Sequence, residues 1–283
     1  MRALIAGATG QLGRELRKLL GDRVVWAGGS REIDVRDGDA VSRTARGAQP
    51  HVILNAAAYN AVDAAETDSI TAFAVNATGA LHLARAAAET GALLVHFSTD
   101  YVFDGGEDRP YTEDDPPHPI NVYGITKLAG EQLVARAGCS HLIVRTSGVF
   151  GKGGSRAKGG SFVERILAQA RAGKPLSVVA DQVFCPTYAP DLARAVLGML
   201  DKGARGLFHV TNGGATSWHG LAAAAVEHEG LEVSVDQVLS ASLPNAARRP
   251  GHSVLSKERY ENLGLPPMRS WRDALDEFLA SEA

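Results

Sequence analysis

A glycine-rich turn near the start of the chain constrains the fold more than any other feature. The apolar run 3–6 leads directly into the sequence GATGQLG at positions 7–13, where a helix-forming stretch begins. Between a strand and a helix, such glycines permit a tight turn, a close backbone approach to a pyrophosphate, and close helix–strand packing. The helix N-terminus adds unpaired amides and the positive end of its dipole. The turn predicts a bound dinucleotide, with contacts from Gly7, Thr9, Gly10, Gln11, Leu12 and Gly13.

Short apolar runs alternate with longer helical stretches through the first half of the chain. The runs are 3–6, 24–27, 51–55, 93–98 and 141–145, and the helical stretches are 11–20, 70–89 and 126–137. Apolar runs of this length are typical of strands buried on both faces. Their alternation with helices predicts an α/β fold, a Rossmann-type doubly wound parallel sheet with right-handed crossovers.

The second half continues with predicted helices at 162–172, 191–200 and 218–229 and strands at 176–179 and 206–210. A last helix begins at Ser270, where the sequence SWRD is typical of a capping box. We interpret residues 1–150 as a dinucleotide-binding Rossmann domain, re-entered near 206–230, and residues 151–283 mainly as a smaller C-terminal substrate-binding lobe. The segment 148–161 interleaves glycines with lysines and an arginine, which suits a surface insertion or a lid over an anionic substrate.

Composition excludes several other classes of protein. The 283 residues are 45% hydrophobic and 22% charged, so a full core can form. Lys plus Arg number 29 and Asp plus Glu 32, a balance that gives no reason to expect nucleic acid or an anionic membrane as a partner. Cys139 and Cys185 have no metal-type spacing, and no apolar run reaches ~18 residues. We predict a cytoplasmic protein without a signal peptide.

The end of the second strand indicates which dinucleotide is bound. NAD-selective sites usually place a carboxylate there, whereas this chain has Ser30 and Arg31, a hydroxyl and a cation suited to a 2′-phosphate. NADPH is therefore favoured and NADH stays an alternative. Further cofactor contacts are expected from Asp34 and Val35 at the adenine and from the small side chains after the third strand. These last residues are Ala56, Ala57, Ala58 and Tyr59.

Tyr123 and Lys127 are spaced to share one face of the helix between the fourth and fifth predicted strands. A phenol with a pKa near ~10 is a poor proton shuttle at neutral pH. A neighbouring ammonium and an oxidised nicotinamide would stabilise the phenolate and lower that pKa. Lys127 would also hydrogen-bond the nicotinamide ribose. We predict that both residues are catalytic and contact the cofactor, and that Tyr123 also contacts the substrate.

Thr99, Asp100 and Tyr101 follow the fourth strand, at the edge of the sheet where ligands bind in open α/β folds. The Thr99 hydroxyl could donate a hydrogen bond to a substrate oxygen that becomes anionic during reduction. The alternative is a strand-end turn in which the side chains satisfy backbone amides. The tyrosine and lysine nearby favour the catalytic interpretation.

These segments together resemble the dTDP-4-dehydrorhamnose reductase family of the extended short-chain dehydrogenases/reductases. The resemblance spans nearly the whole chain. It is carried by GATGQLG at 7–13, NAAAY at 55–59 with VD at 62–63, STDYVFDG at 98–105, YGITK at 123–127 with GE at 130–131, DQ at 181–182 with PT at 186–187, and RPGHSVL at 249–255.

The resemblance implies NADPH-dependent reduction of the C4 ketone of a deoxythymidine-diphosphate 6-deoxysugar. It implies that Tyr123 protonates the nascent alkoxide, that Lys127 tunes Tyr123, and that Thr99 steadies the oxygen. Asp100 and Tyr101 would line the sugar pocket. Arg249 would face the nucleotide diphosphate, since a guanidinium fork suits two phosphates; the alternative is a solvated surface pair with Arg248.

Two positions depart from the pattern of the family. Gly148 stands where the family usually has a tryptophan that helps to shape the sugar pocket, and Phe184 stands where a small residue is usual. The identity of the ketosugar is therefore open, as are the nucleotide base and the formation of a homodimer. Glu15 matches one position of a metal contact in some relatives, but we predict no metal with a role in the chemistry.

Other functions of the superfamily remain alternatives at this point. A dehydratase normally has an Asp-Glu pair after its threonine, and here Tyr101 follows Asp100. A sugar-nucleotide epimerase uses the same Tyr-Lys pair but keeps its NAD bound, so it is not excluded. A different ketosugar reductase and a non-catalytic NADP-binding regulatory subunit are the remaining interpretations. The intact set of Thr99, Tyr123 and Lys127 argues for an enzyme.

Overall fold

The computed structural model describes residues 1–153, 160–243 and 247–281. Part of the glycine-rich segment 148–161, residues 154–159, thus lies outside the described residues. The strands are β1 (Ala3–Ala6), β2 (Val24–Gly28), β3 (Val52–Asn55), β4 (Leu93–Thr99), β5 (His141–Thr146), β6 (Val149–Phe150), β7 (Leu176–Val179), β8 (Val183–Phe184), β9 (Thr187–Tyr188), β10 (Gly206–His209), β11 (Thr216–Ser217) and β12 (Val235–Val238). The helices are α1 (Gln11–Leu20), α2 (Gly38–Ala48), α3 (Val62–Ala65), α4 (Ser69–Phe73), α5 (Gly79–Thr90), α6 (Val122–Arg136), α7 (Phe162–Arg171), α8 (Ala189–Asp201), α9 (Trp218–His228), α10 (Glu258–Glu261) and α11 (Trp271–Ala280).

Six parallel strands form the central sheet in the order β10-β5-β4-β3-β1-β2. The chain runs outward from β1 to β2 and then returns to β3 on the other side of β1. This reversal creates a crevice beyond the carboxyl ends of β1 and β3, where open α/β sheets bind their ligands. The predicted Rossmann-type parallel sheet is confirmed.

Helices cover both faces of the sheet. On one face α1 and α8 pack through Leu16, Leu192 and Val196, and on the other α2 and α5 pack through Val41 and Leu83. These side chains are almost fully buried, which explains why the strands are apolar on both faces instead of alternating. No helix of the described ranges is both long and apolar enough to span a bilayer.

Several helices differ from the prediction at their ends. The stretch predicted as one helix over 70–89 contains α4, a π-helical turn over 74–78 and α5. Helix α6 begins at Val122 because the Asn121 side chain accepts a hydrogen bond from the Gly124 N–H at 2.7 Å. Helix α2 was not predicted, although the side chain of Asp37 caps it.

The capping box predicted at Ser270 is only half present. Ser270 accepts a hydrogen bond from the Asp273 N–H, and among the described residues the structure gives no reciprocal bond from the Ser270 N–H to the Asp273 carboxylate. The complete reciprocal pair lies at the start of α7, between Ser161 and Glu164. The glutamate side chain is one methylene longer than aspartate, so it reaches back to the N-cap amide.

The second half of the chain contributes both to the central sheet and to a separate group of elements. Strand β10 lies beside β5 at the edge of the sheet, whereas β7 pairs with β12 and β8 with β11. Helices α7, α9 and α11 pack around a second core that includes Val163, Leu221 and Phe278. The division into domains 1–150 and 151–283 stays our interpretation.

Candidate active site

A cavity of about 1070 Å³ opens beside the carboxyl ends of β1, β4 and β5. This volume lies at the upper end of the range for small-molecule sites, so it can hold more than one drug-sized ligand. Its wall includes residues of the first half, such as Gly10, Thr99 and Tyr123, and residues of the second half, such as Phe184 and Arg249. The cavity therefore lies between the sheet and the elements of the second core.

The three glycines of the first turn have different surroundings. Gly7 has φ +82°, and a Cβ atom there would lie 2.5 Å from the carbonyl carbon of Ala56. A Cβ atom at Gly13 would lie 2.2 Å from the Gly7 oxygen, whereas one at Gly10 would lie 3.4 Å from that oxygen. The backbone conformation of the turn thus requires glycine at position 7, and the close contact of α1 with the turn requires glycine at position 13. Neither constraint applies to position 10.

The wall of the cavity at the start of α1 contains Gly10, Gln11, Leu12 and Gly13. No side chain caps this helix end, because its N-cap residue is Gly10. The side-chain amide of Gln11 donates a hydrogen bond to the Gly151 oxygen at 2.9 Å. A helix end that keeps its amide groups available to a cavity fits the phosphates of a dinucleotide.

The cavity includes part of the predicted cofactor set. Ala56 and Ala58 line it. The predicted residues that do not line it are Gly7, Thr9, Ser30, Arg31, Asp34, Val35, Ala57 and Tyr59. The Asp34 carboxylate hydrogen-bonds the Arg36 guanidinium, at 2.6 Å for the shortest contact, and the Val35 oxygen bonds His82. For these residues cofactor binding stays a prediction.

A carboxylate does lie near the end of β2, although the sequence interpretation missed it. Glu32 accepts a hydrogen bond from the Gly29 N–H at 2.7 Å, next to Ser30 and Arg31. Its position four residues past the strand was a signal that could have been noticed. The group matters because carboxylates in this region usually select the ribose 2′-hydroxyl of NAD.

The three predicted catalytic residues meet at one end of the cavity. Thr99 is the last residue of β4, and it pairs with Thr146 at the end of β5. The hydroxyl of Thr99 donates to the Asp100 carboxylate, and it lies near enough to the phenol of Tyr123, in the first turn of α6, to act on the pKa of that phenol. Lys127 follows one turn later on α6, and all three predicted catalytic residues line the cavity.

The electrostatics of Tyr123 differ from the expectation. Burial raises the pKa of the phenol to about 12, the nearby Thr99 hydroxyl acts to lower the pKa, and the charge of Asp100 raises it. The expected lowering of this pKa by Lys127 is not found, since the Lys127 ammonium donates to the Phe97 oxygen at 2.6 Å instead. The phenol therefore holds its proton at neutral pH, as a proton donor requires.

Lys127 is a buried cation. Burial lowers the pKa of its ammonium to about 8, and the charge of Glu131 acts in the opposite direction. Glu131 in turn forms a buried ion pair with Arg145 at 2.7 Å and accepts a short hydrogen bond from Ser98. Glu131 lies one helical turn after Lys127, so this network fixes the side of α6 that carries the ammonium.

Asp100 joins three segments of the chain. Its buried carboxylate accepts hydrogen bonds from Ser253 at 2.6 Å, Ser147 at 2.7 Å and Thr99 at 3.1 Å. Burial raises the pKa of Asp100 to about 6 although all three donors lower it. The sequence interpretation missed both serines. The position of Ser147 directly after β5 was a usable signal, and Ser253 lies in the RPGHSVL segment, where no role was assigned to it.

Tyr101 and Arg249 lie against each other on the substrate side of the cavity. The Tyr101 ring meets the Tyr123 ring edge-on, with centroids 6.0 Å apart. Arg249 pairs with Asp63 at 2.8 Å, and its charge acts to lower the pKa of the nearby Tyr101 phenol. Arg249 is therefore held in place by Asp63 and the Ala247 oxygen at the cavity wall, which disfavours the alternative of a solvated surface pair with Arg248.

Asn76 ties the cofactor side of the crevice to α6. Its side chain accepts from the Tyr59 N–H at 2.8 Å and donates to the Thr126 hydroxyl at 3.0 Å. It lies in the π-helical turn between α4 and α5, a geometry that is frequent at functional sites. Among the described residues no group of three or more His, Cys, Asp or Glu side chains is arranged to hold a metal ion.

Comparison with known proteins gives consistent matches. Residues 1–283 match a family model described as RmlD substrate binding domain. The chain is 39% identical over 281 residues to the spore coat polysaccharide biosynthesis protein SpsK of Bacillus subtilis, covering 98% of this chain and 96% of that protein. It is 42% identical to a dTDP-4-dehydrorhamnose reductase of Mycobacterium tuberculosis, covering 100% and 93%. A crystal structure of dTDP-4-dehydrorhamnose reductase from Bacillus anthracis in complex with NADP superposes with a TM-score of 0.94 at 34% identity, covering 99% of each chain.

Proposed function

The chain belongs to the RmlD substrate-binding domain family, and from this membership and the cavity we propose that it is a dTDP-4-dehydrorhamnose reductase. It reduces the C4 ketone of dTDP-4-dehydro-L-rhamnose to dTDP-L-rhamnose with NADPH as the reductant. The observation that carries this proposal is the meeting of Thr99, Tyr123 and Lys127 at one end of the cavity onto which the glycine turn opens.

The binding of NADPH is supported by the surroundings of the glycine turn. Side chains are excluded at Gly7 and Gly13, and the start of α1 faces the cavity without a capping side chain. The solved relative from Bacillus anthracis contains NADP. Ser30 and Arg31 would hold the 2′-phosphate, and Glu32 would favour NADH, which stays an alternative reductant. When bound, NADPH supplies the hydride that C4 accepts.

Tyr123 donates the proton that the C4 oxygen needs. The phenol is suited to this because burial raises its pKa to about 12, so it is protonated before the reaction at neutral pH. Thr99 would turn the proton that it donates to Asp100 toward the same oxygen while negative charge develops on it. Lys127, whose pKa burial lowers to about 8 and whose ammonium donates to the Phe97 oxygen, would hold the nicotinamide ribose.

The substrate is held by the residues around Asp100. Asp100 and Tyr101 line the sugar end of the cavity, and Arg249 binds the diphosphate with its planar guanidinium. The Asp63–Arg249 pair pre-orients this guanidinium before substrate arrives. We expect this enzyme in the cytoplasm, with a nucleotide sugar as its substrate, without nucleic acid or membrane as a partner, and with a homodimer as its candidate assembly.

The test is the oxidation of NADPH, followed by absorbance, in the presence of dTDP-4-dehydro-6-deoxy-L-mannose. Wild-type protein should turn over, and Tyr123→Phe should lower turnover about 10²- to 10⁴-fold, because the variant lacks the proton donor. Tyr260→Phe is the matched control, since the Tyr260 phenol bonds the Pro266 oxygen outside the cavity. Equal turnover of Tyr123→Phe and wild type would contradict the assigned role.

The nicotinamide content of the purified protein also distinguishes a reductase from an epimerase. An epimerase passes a hydride to its substrate and takes it back, so it retains NAD through purification. A reductase must exchange its nicotinamide in every turnover and is isolated largely without it. A stoichiometric bound nicotinamide combined with no net oxidation of NADPH would favour the epimerase. A regulatory subunit would bind NADPH and leave the ketosugar unreduced.

A further inference from the structure

The two positions that depart from the family pattern are in direct contact. A Cβ atom at Gly148 would lie 2.2 Å from the Cε2 atom of Phe184 and 2.6 Å from its Cδ2 atom. Both distances are far below any normal contact, so the phenyl ring occupies the space in which a side chain at position 148 would begin. Gly148 also has φ +49°, in the left-handed region that glycine favours.

The Phe184 ring is fixed by packing on its other side. Its centroid lies 4.1 Å from that of Trp218, and Trp218 also contacts Phe162 at 4.7 Å. The backbone of Phe184 belongs to β8, which pairs with Thr216 of β11. Only 3% of Phe184 is exposed, and the ring still contributes to the wall of the cavity. Its position is therefore determined by the second core.

Both residues lie next to segments that bind Asp100. Gly148 directly follows Ser147, whose hydroxyl donates to the Asp100 carboxylate. Phe184 directly follows Val183, whose oxygen accepts a hydrogen bond from the Ser253 N–H at 2.8 Å. The hydroxyl of Ser253 also donates to Asp100. The pair is thus close to the end of the cavity at which Thr99 and Tyr123 meet.

We propose that Phe184, packed against Gly148, is a specificity-determining residue that forms the wall of the sugar subsite. The aromatic surface of this wall is the Phe184 ring of β8, which takes the place that a side chain at position 148 would have. A wall made by a phenyl ring suits the apolar side of a sugar that has a methyl group at C5, since such a group gains by leaving water. This inference rests on the proposed function, because it assumes a nucleotide-linked 6-deoxysugar in the cavity.

The inference separates sugar binding from nucleotide binding. Arg249, which is assigned to the diphosphate, is held by Asp63 and by the Ala247 oxygen. Phe184 instead packs against Trp218 in the second core. Loss of the phenyl ring should therefore weaken the binding of dTDP-L-rhamnose and leave that of dTDP unchanged. A general loosening of the fold would weaken the binding of both.

The experiment compares Phe184→Leu with wild type by titration calorimetry with dTDP-L-rhamnose and with dTDP. Leucine retains most of the buried volume, so the variant keeps its core. We expect the affinity for dTDP-L-rhamnose to fall about tenfold, the scale of a lost aromatic contact and its area, and the affinity for dTDP to change less than about twofold. Phe278→Leu is the matched control, because Phe278 belongs to the same core but does not line the cavity.

A double-mutant cycle tests the contact itself. Gly148→Ala should reduce kcat/KM for the ketosugar strongly in wild type and less in Phe184→Leu, where the ring that the new Cβ atom meets is missing. The cost of a non-glycine residue at φ +49° is the same in both backgrounds and cancels. Additive effects would overturn the proposed contact.

The outcomes distinguish this inference from the function on which it rests. A wild type that neither reduces the ketosugar nor binds dTDP-L-rhamnose overturns both. The role of Phe184 alone is overturned if the wild type does both and Phe184→Leu loses no affinity, or loses equal affinity for dTDP-L-rhamnose and for dTDP. A loss confined to dTDP-L-rhamnose, together with a non-additive cycle, supports it.

Discussion

The glycine turn at β1 and the polar cluster around Asp100 are two walls of the same cavity that are built in opposite ways. The turn consists of seven consecutive residues, and its shape follows from backbone contacts between Gly7, Gly13 and Ala56. The Asp100 cluster combines side chains from positions 99, 100, 147 and 253. The first is a local structure with a local sequence signal, and the second exists only after the chain has folded.

The difference between these regions affects how each responds to substitution. In the turn, an added methyl group meets backbone atoms that cannot move without displacing β1 or α1. In the Asp100 cluster, the limiting quantity is the free energy of keeping a carboxylate and its hydroxyl donors away from water. We therefore expect steric effects in the first region and pH-dependent effects in the second.

The largest effect is expected for Gly13→Ala. Its Cβ atom would lie 2.2 Å from the Gly7 oxygen, so we expect a loss of about 3 kcal/mol or more in the free energy of unfolding and a marked loss of NADPH affinity. Gly10→Ala is the control from the same turn, because its Cβ atom would lie 3.4 Å from that oxygen. We expect Gly10→Ala to retain its Tm while binding NADPH more weakly. Thermal unfolding and fluorescence titration measure the two quantities, and equal Tm losses in both variants would remove the distinction between packing and ligand approach.

An intermediate effect is expected at Asp100, whose pKa rises to about 6 by burial from an ordinary value of 3.8. In the unfolded chain the carboxyl ionises near pH 4, whereas in the folded protein it ionises near pH 6. The stabilising contribution of protonated Asp100 to the free energy of unfolding is therefore fully present below pH ~4 and is lost as the pH rises through ~6. The total change is about 3 kcal/mol. Asp100→Asn should remove this part of the pH dependence.

Urea unfolding of wild type and Asp100→Asn between pH 4 and 7 measures this change. Asp114→Asn is the control, because the Asp114 side chain is 84% exposed and pairs with Arg259 at the surface. Its curve should run parallel to that of wild type, since exposed pairs contribute less than about 1 kcal/mol. If the free energy of unfolding of Asp100→Asn also ran parallel to that of wild type over this pH range, the cluster would not bury an ionisable group.

The smallest effect is expected for Arg249→Lys. Lysine keeps the charge but loses the planar fork, so we expect the affinity for dTDP to fall about tenfold and the Tm to stay within about 2 °C. Arg109→Lys is the control, since Arg109 lies outside the cavity and pairs with Asp115 at the surface. Calorimetry with dTDP measures the change. An unaltered affinity would place the diphosphate elsewhere and would make the Arg249–Asp63 pair a purely structural contact.

Much of the fold could be predicted because its signals are local. The strands β1 and β7 and the helix α1 have the predicted bounds, and the other strands of the central sheet differ by one residue at most at an end. Helix α2 was missed because glycine, serine and threonine make its sequence a poor helix former, and its cap and packing on α5 decide its conformation. The short strands β6, β8, β9 and β11 have two residues each, too few for any periodicity.

The candidate site was predictable only in part, for the same reason. Thr99, Tyr123 and Lys127 could be identified because strand ends and helical spacing place them. The direction in which the Tyr123 pKa shifts could not be predicted, because it depends on burial and on the Lys127 ammonium being bound to the Phe97 oxygen. Asn76 and Ser253 could not be assigned either, since their partners lie far away in sequence.

The sequence by itself determined the parallel sheet, the glycine turn and the tyrosine–lysine pair, because apolar periodicity and backbone sterics act over a few neighbouring residues. The tertiary structure alone decided that Phe184 takes the space beside Gly148, that Arg249 is held by Asp63, and that the hydroxyls of Ser147 and Ser253 donate to Asp100. Each of these contacts joins residues whose separation along the chain carries no information about their distance in space. Burial, which sets the pKa values of the site, likewise belongs to the folded molecule and not to any one segment.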